Sequence, residues 1–146
     1  MEISLDHVSL TVSDVDRSVE FYSKAFGFRR TRRSSSDGQA LDTILGYPNA
    51  KIEIAWVALG PLNVEFIQYR QPHSEHRAVL HTKDVGTPHL AFRVQDIRAE
   101  YQRLVGLGAR FKSDPVGVPG GTHMSVYGMD PDGITFEIVQ RDRPPV

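Results

Sequence analysis

Apolar and polar positions alternate along most of this chain, and where the alternation breaks, the spacing lengthens to that of a helix. Residues at about 3–12 predict a strand, in which Val8, Leu10 and Val12 alternate with Ser9 and Thr11. Ser13-Asp14-Val15-Asp16 then supplies capping side chains, and Val19, Phe21, Tyr22, Ala25 and Phe26 follow at helical spacing up to Gly27, where a C-terminal glycine cap belongs. Three strand-like segments come next: Phe28 to Arg33, Lys51 to Leu59 and Leu62 to Tyr69, with Gly60-Pro61 as the turn between the last two. Residues 71–84 read as a polar connector with room for a short helix. The order then begins again, with a strand at 88–94 and a helix from about 96 to 105 closed by Gly106 and Gly108. A strand near 109–113, a Pro- and Gly-rich loop from Pro115 to Gly121, and strands at 122–129 and 134–140 complete it. Asp130-Pro131-Asp132-Gly133 makes the final turn. The pattern predicts an α+β chain built from a βαβββ unit used twice.

The restart is written in the residues themselves. Leu5-Asp6-His7-Val8-Ser9-Leu10-Thr11-Val12-Ser13-Asp14-Val15 returns as Thr87-Pro88-His89-Leu90-Ala91-Phe92-Arg93-Val94-Gln95-Asp96-Ile97. His7 falls on His89, Asp14 on Asp96 and Val15 on Ile97. Each copy is followed by a strand with one central glutamate, Glu65 in the first and Glu137 in the second. One His and one Glu from each repeat are what a divalent-metal site on a pseudo-twofold axis needs.

Strand parity tests whether these side chains can share a face. His7 goes with Ser9 and Thr11, Glu65 with Ile67 and Tyr69, His89 with Ala91 and Arg93, and Glu137 with Thr135 and Val139. In every case the opposite face is apolar. By the same reasoning Glu53, opposite Ile52, Ile54 and Trp56, is expected on the polar side, and His123, Ser125 and Tyr127 share a side opposite Met124 and Val126. So many ionisable groups on an inward face would be costly without a compensating cation.

Composition narrows the setting. The 146 residues suit one domain. A net charge of −1 and a pI near 6.6 give no electrostatic case for nucleic acid. No apolar run approaches the roughly 20 residues of a membrane span, and the N-terminus lacks a signal peptide's basic start, so no membrane partner and a cytoplasmic location are expected. There are no cysteines, which leaves His and carboxylates as metal donors. His73, His76 and His81 fall in the connector and read as solvated. The run Arg29-Arg30 and Arg32-Arg33 splits between two faces and reads as a solvated edge.

With these residues placed, the chain resembles the vicinal oxygen chelate superfamily, which includes glyoxalase I, methylmalonyl-CoA epimerase, extradiol dioxygenases, and fosfomycin and bleomycin resistance proteins. The marks are Asp6-His7-Val8, Ser18-Val19-Glu20-Phe21-Tyr22 ending in Phe26-Gly27-Phe28, His89-Leu90-Ala91-Phe92-Arg93-Val94, and Asp130-Pro131-Asp132-Gly133 before Glu137. The resemblance implies a glyoxalase-like fold, two βαβββ modules forming a metal-containing cup. Residues 1–146 would then be one such domain, with module one at about 1–70, the connector at 71–84 and module two at about 85–146. His7, Glu65, His89 and Glu137 match the four ligand positions. It also implies a homodimer, since members often complete the cup by pairing modules, and short modules have strand edges to cover.

Two imidazoles and two carboxylates suit one divalent Ni, Co, Zn, Mn or Fe ion, with positions left for two neighbouring substrate oxygens. Such an ion stabilises an enolate, so a nearby carboxylate can move the adjacent proton. In methylmalonyl-CoA epimerase a carboxylate lies on the strand before the second ligand, where this chain has Glu53. The resemblance therefore implies Glu53 and Glu137 as a catalytic pair, with His123 and Tyr127 binding substrate. The epimerase family's Gln at the position of Glu65 and its His-Pro-Lys segment are absent, which disfavours a CoA thioester. Bacterial glyoxalase I tends to carry Arg and Asn for glutathione where this chain has Thr11 and Tyr69. The expectation is a metal-dependent epimerase or isomerase of a small hydroxyketone or sugar-derived cyclic ketone. A glyoxalase I-type lyase, a ring-cleaving dioxygenase and a metal-free drug-binding resistance protein are the alternatives.

Overall fold

In the computed structural model, which describes residues 2–73, 81–117 and 119–141, the first repeat is a four-stranded sheet with a helix on one face. Its elements are β1 (Val8–Thr11), α1 (Val15–Phe26), β2 (Arg29–Asp37), α2 (Gln39–Leu45), β3 (Lys51–Leu59) and β4 (Leu62–Gln71), with strand order β1-β4-β3-β2. The short β1 runs parallel to β4, and the other pairings are antiparallel. Helix α1 starts where Asp14 accepts from the backbone N–H groups of Asp16 and Arg17, both at 3.0 Å, and stops at Gly27 with φ +77°. Its inner face (Val15, Tyr22, Ala25) packs on β3 and β4, over Ala55, Val57, Val64 and Phe66, all buried. The Tyr22 and Phe66 rings are 5.0 Å apart.

The second repeat contains β5 (Leu90–Arg93), α3 (Ile97–Gly106), β6 (Arg110–Phe111), β7 (Val116–Gly117), β8 (His123–Met129) and β9 (Thr135–Arg141). The strand order is β5-β9-β8-β6, with β7 also beside β8. Asp96 caps α3 as Asp14 caps α1, and Ile97 and Leu104 bury against a core containing Val126, Phe136 and Ile138. Gly128 is required here: a Cβ would stand 2.4 Å from the Phe136 ring and 2.9 Å from Phe111. The two repeats form separate compact units, Met1–Arg77 and Ala78–Val146.

The doubled strand-helix-strands order is present, with differences. The first strand is shorter than 3–12. Helix α2 was not foreseen, because it has no side-chain N-cap and buries no residue. It is held by Asp42, whose carboxylate accepts from the N–H groups of Asn49 and Ala50 at 2.8 and 2.7 Å. Part of the loop expected from Pro115 to Gly121 is strand β7, paired with Ser125 and Met124. The short helix allowed for in the connector falls partly outside the described residues, as does His76. Among the described residues no helix is long and apolar enough to cross a membrane.

Candidate functional site

In the first unit, His7 and Glu65 come together. His7 lies one residue before β1, and Ser9 of β1 is register partner to Glu65 of β4, so the parallel pairing puts both on one face. The His7 Nε2 is 3.6 Å from Glu65 Oε2. On its other side, His7 Nδ1 is 2.7 Å from Asp6 Oδ2, an arrangement that holds the ring and aims Nε2 at the glutamate. Trp56 of β3 is the cross-strand partner of Glu65, and its ring meets His7 edge-on at 4.7 Å and 76°. Glu65 itself is buried, 9 % exposed. Further along this face, burial and the nearby Tyr47 and Glu65 push the Tyr69 phenol up from its ordinary pKa.

The second unit repeats the arrangement with different neighbours. His89 precedes β5, Ala91 is register partner to Glu137, and His89 Nε2 lies 3.4 Å from Glu137 Oε2. Tyr127 of β8 stands opposite Glu137, as Trp56 stands opposite Glu65, and meets His89 edge-on at 5.1 Å and 89°. The Ser125 hydroxyl donates to Glu137 Oε1. His123 shares this face and is register partner to Arg141. Lys112 Nζ lies 5.9 Å from the centre of the Tyr127 ring.

These spacings bear on whether a metal ion fits. Two donors each about 2.1 Å from one ion stand roughly 3.0–3.4 Å apart. Hydrogen bonds to nitrogen close to about 2.7–3.2 Å. Both His–Glu pairs are therefore nearer the spacing of co-ligands than that of a hydrogen bond. Among the described residues no three or more His, Asp or Glu side chains gather as a metal site, so each pair stands as two donors within its own unit.

Glu53 is not where parity reasoning put it. The register pairs Glu53 with Gln68 and Trp56 with Glu65, so Glu53 lies on the face of Ala55 and Phe66, away from Glu65. Both faces of β3 carry apolar residues, so alternation alone does not decide which face lies under the helix. Helix α1 packs over Ala55 and Val57. At the margin of that face Glu53 takes 2.7 Å contact from Arg70 Nε and a hydrogen bond from Arg33, which also reaches Asp16 at 3.3 Å. Arg70 and then Arg33 hold the Glu53 carboxyl at about 2, despite the opposing effect of burial. Glu53 also borders a cavity of about 400 Å³ with Ser35, Ser36, Asp37, Lys51 and Arg70. Sequence reasoning gave no role to Trp56 or Ser125. For Ser125 the sequence carries a partial signal, since parity puts it on the side of His123 and Tyr127.

Comparison with known proteins identifies the family and the fold. The family profile described as Glyoxalase/Bleomycin resistance protein/Dioxygenase superfamily matches residues 4–138. A 2-epi-5-epi-valiolone epimerase from Actinomyces sp is 31% identical over 146 residues, covering 94% of this chain and 79% of that protein. The lactoylglutathione lyase GLX1 of Arabidopsis thaliana is 28% identical over 141 residues, which are 95% of this chain and 44% of that protein. The chain thus spans less than half the length of that relative. The crystal structure of a glyoxalase family protein from Bacillus cereus matches with a TM-score of 0.85 at 20% identity, covering 97% of this chain and 95% of that one. That likeness shows a shared glyoxalase fold.

Proposed function

The chain belongs to the Glyoxalase/Bleomycin resistance protein/Dioxygenase superfamily, and on that premise we propose that it is a metal-dependent epimerase or isomerase acting on a small polar ketone. The observation that carries the reading is the His–Glu pair present once in each unit, His7 with Glu65 and His89 with Glu137, at 3.6 and 3.4 Å. We assign His7 with Glu65, and His89 with Glu137, as ligand pairs for a divalent ion. When bound, the ion supplies Lewis acidity to a carbonyl whose neighbouring C–H is to be ionised. The carboxylates available to move that proton are Glu65 and Glu137, which lie on the same faces as the histidines. Glu53 is a poor base, because two guanidiniums stabilise its ionised form. Tyr127 and His123, on the face of Glu137, offer hydrogen-bonding groups to substrate hydroxyls. The relative named as an epimerase supports this choice among superfamily reactions.

The lyase reading has the Arabidopsis relative in its favour. Against it, Thr11 pairs with Ile67 and Tyr69 packs on Tyr47 at 6.1 Å, so neither position offers a cation to a glutathione carboxylate. One experiment separates the readings. Elemental analysis of the purified protein should give about one divalent ion per chain. Protein loaded with that metal should exchange the α-hydrogen of a cyclic hydroxyketone for deuterium from solvent, followed by NMR. Metal-free protein that cannot be loaded would overturn the proposal, and turnover of the methylglyoxal–glutathione adduct without hydroxyketone exchange would replace it with the lyase.

A further inference from the structure

The two carboxylates proposed as metal ligands differ in their neighbours on the facing strand. In the first unit Trp56 faces Glu65 across the strands, and two residues earlier on β3 stands Ile54, register partner of Ile67. In the second unit Tyr127 faces Glu137, and two residues earlier on β8 stands Ser125, register partner of Val139. Ile54 and Ser125 hold the same place in the repeat. Only one has a hydroxyl, and that hydroxyl donates to Glu137 Oε1. The other oxygen, Oε2, is the one 3.4 Å from His89 Nε2.

We propose that Ser125 is a positioning residue that makes Glu137 a one-oxygen ligand, by holding Oε1 in a hydrogen bond and leaving Oε2 alone to bind the ion. A carboxylate can occupy either one or two coordination positions, and nothing in its covalent structure decides which. Where a substrate must place two neighbouring oxygens on the same ion, each position taken by a second carboxylate oxygen is lost to it. Ser125 keeps one such position open. Ile54 has no hydroxyl and places no comparable restraint on Glu65. The inference rests on the metal reading given above and adds to it a residue that controls how much room the substrate finds.

The test uses the full chain loaded with Co(II) alone, followed by acetohydroxamate as a small chelator with two adjacent oxygens. Ser125→Ala should keep about one equivalent of cobalt, because all four ligands remain. Its visible cobalt spectrum should shift toward that of higher coordination as Glu137 closes through both oxygens. Acetohydroxamate should then bind about ten-fold more weakly, the scale of losing a group that orients a metal ligand. Ser125→Thr keeps the hydroxyl and should restore both the wild-type spectrum and the chelator affinity. A general packing defect would not be rescued in this way, and the thermal midpoints of both variants report it separately. The inference is overturned if Ser125→Ala matches wild type in spectrum and chelator affinity, or if Ser125→Thr behaves like Ser125→Ala. Wild-type protein that takes up no cobalt would overturn the metal reading itself, and this inference with it.

Discussion

Neighbours decide what a carboxylate can do, and three glutamates of this chain show it. Glu65 and Glu137 each face an imidazole, whereas Glu53 is clamped by Arg70 and Arg33. The clamp lowers the Glu53 pKa from an ordinary 4.5 to about 2. The sign follows directly. The stability that Glu53 contributes is complete above about pH 4.5 and is lost as the pH falls through about 2. Because water reaches this cluster, its worth is about 1 kcal/mol, the scale of a solvated ion pair and not of a buried one. Glu53→Gln should therefore destabilise by about 1 kcal/mol at neutral pH, measured by urea unfolding. The gap between variant and wild type should close as unfolding is repeated from pH 4.5 down to 2. Metal content and solvent exchange of a hydroxyketone should be retained. Loss of exchange in a folded, metal-loaded Glu53→Gln would return this residue to the catalytic role that its match to the epimerase position implied.

At the scale of elements, each repeat closes its helix onto its sheet with the same device. Gln68 Oε1 accepts from Val15 N–H at 3.2 Å, and Gln140 Oε1 accepts from Ile97 N–H at 2.9 Å. Each glutamine thus satisfies a donor in the first turn of a helix that has no partner within the helix. Gln68→Ala removes a buried acceptor and leaves that N–H unpaired, which should lower stability by about 1–3 kcal/mol. Thermal unfolding should show it, with metal content at His7 and Glu65 unchanged. An unaltered midpoint would mean that water takes over the N–H. Neither glutamine was visible as a cap in the sequence, since each lies more than 40 residues from the helix it serves. Asp14 was visible because capping by a side chain next to the helix is local. The same contrast explains the rest. The His–Glu pairs were legible because the repeat and the period of two agree on them. Trp56 and Glu53 were assigned to the wrong faces because both faces of β3 carry apolar residues, and pairing partners, which only the register supplies, decide between them. Helix α2 buries nothing, so no apolar period announced it.

For the molecule as a whole, what remains is how the sheet edges are finished. Each unit ends its strand order on a short strand next to the histidine of its His–Glu pair: β1 begins one residue after His7, and β5 one residue after His89. The opposite edge of the first sheet, β2, is protected against pairing. It carries Arg29, Arg30, Arg32 and Arg33, and its register slips between Arg30 and Arg32, and charge with a bulge is a common guard on an edge strand. Val8–Thr11 and Leu90–Arg93 have no proline, and only Arg93 is charged. Within their own sheets each has one neighbour, β4 for β1 and β9 for β5. Unguarded edges invite a partner strand or a covering surface. A second copy of this chain is the economical source of one, because a twofold axis presents the same edge twice. We therefore expect a homodimer in sedimentation equilibrium at micromolar concentration. Four arginines on β2 argue that this strand stays outside the contact, so Arg29→Glu with Arg30→Glu should leave the dimer intact. A wild-type monomer at that concentration would overturn the expectation, and a dimer dissolved by the β2 charge reversal would relocate the contact to the arginine edge.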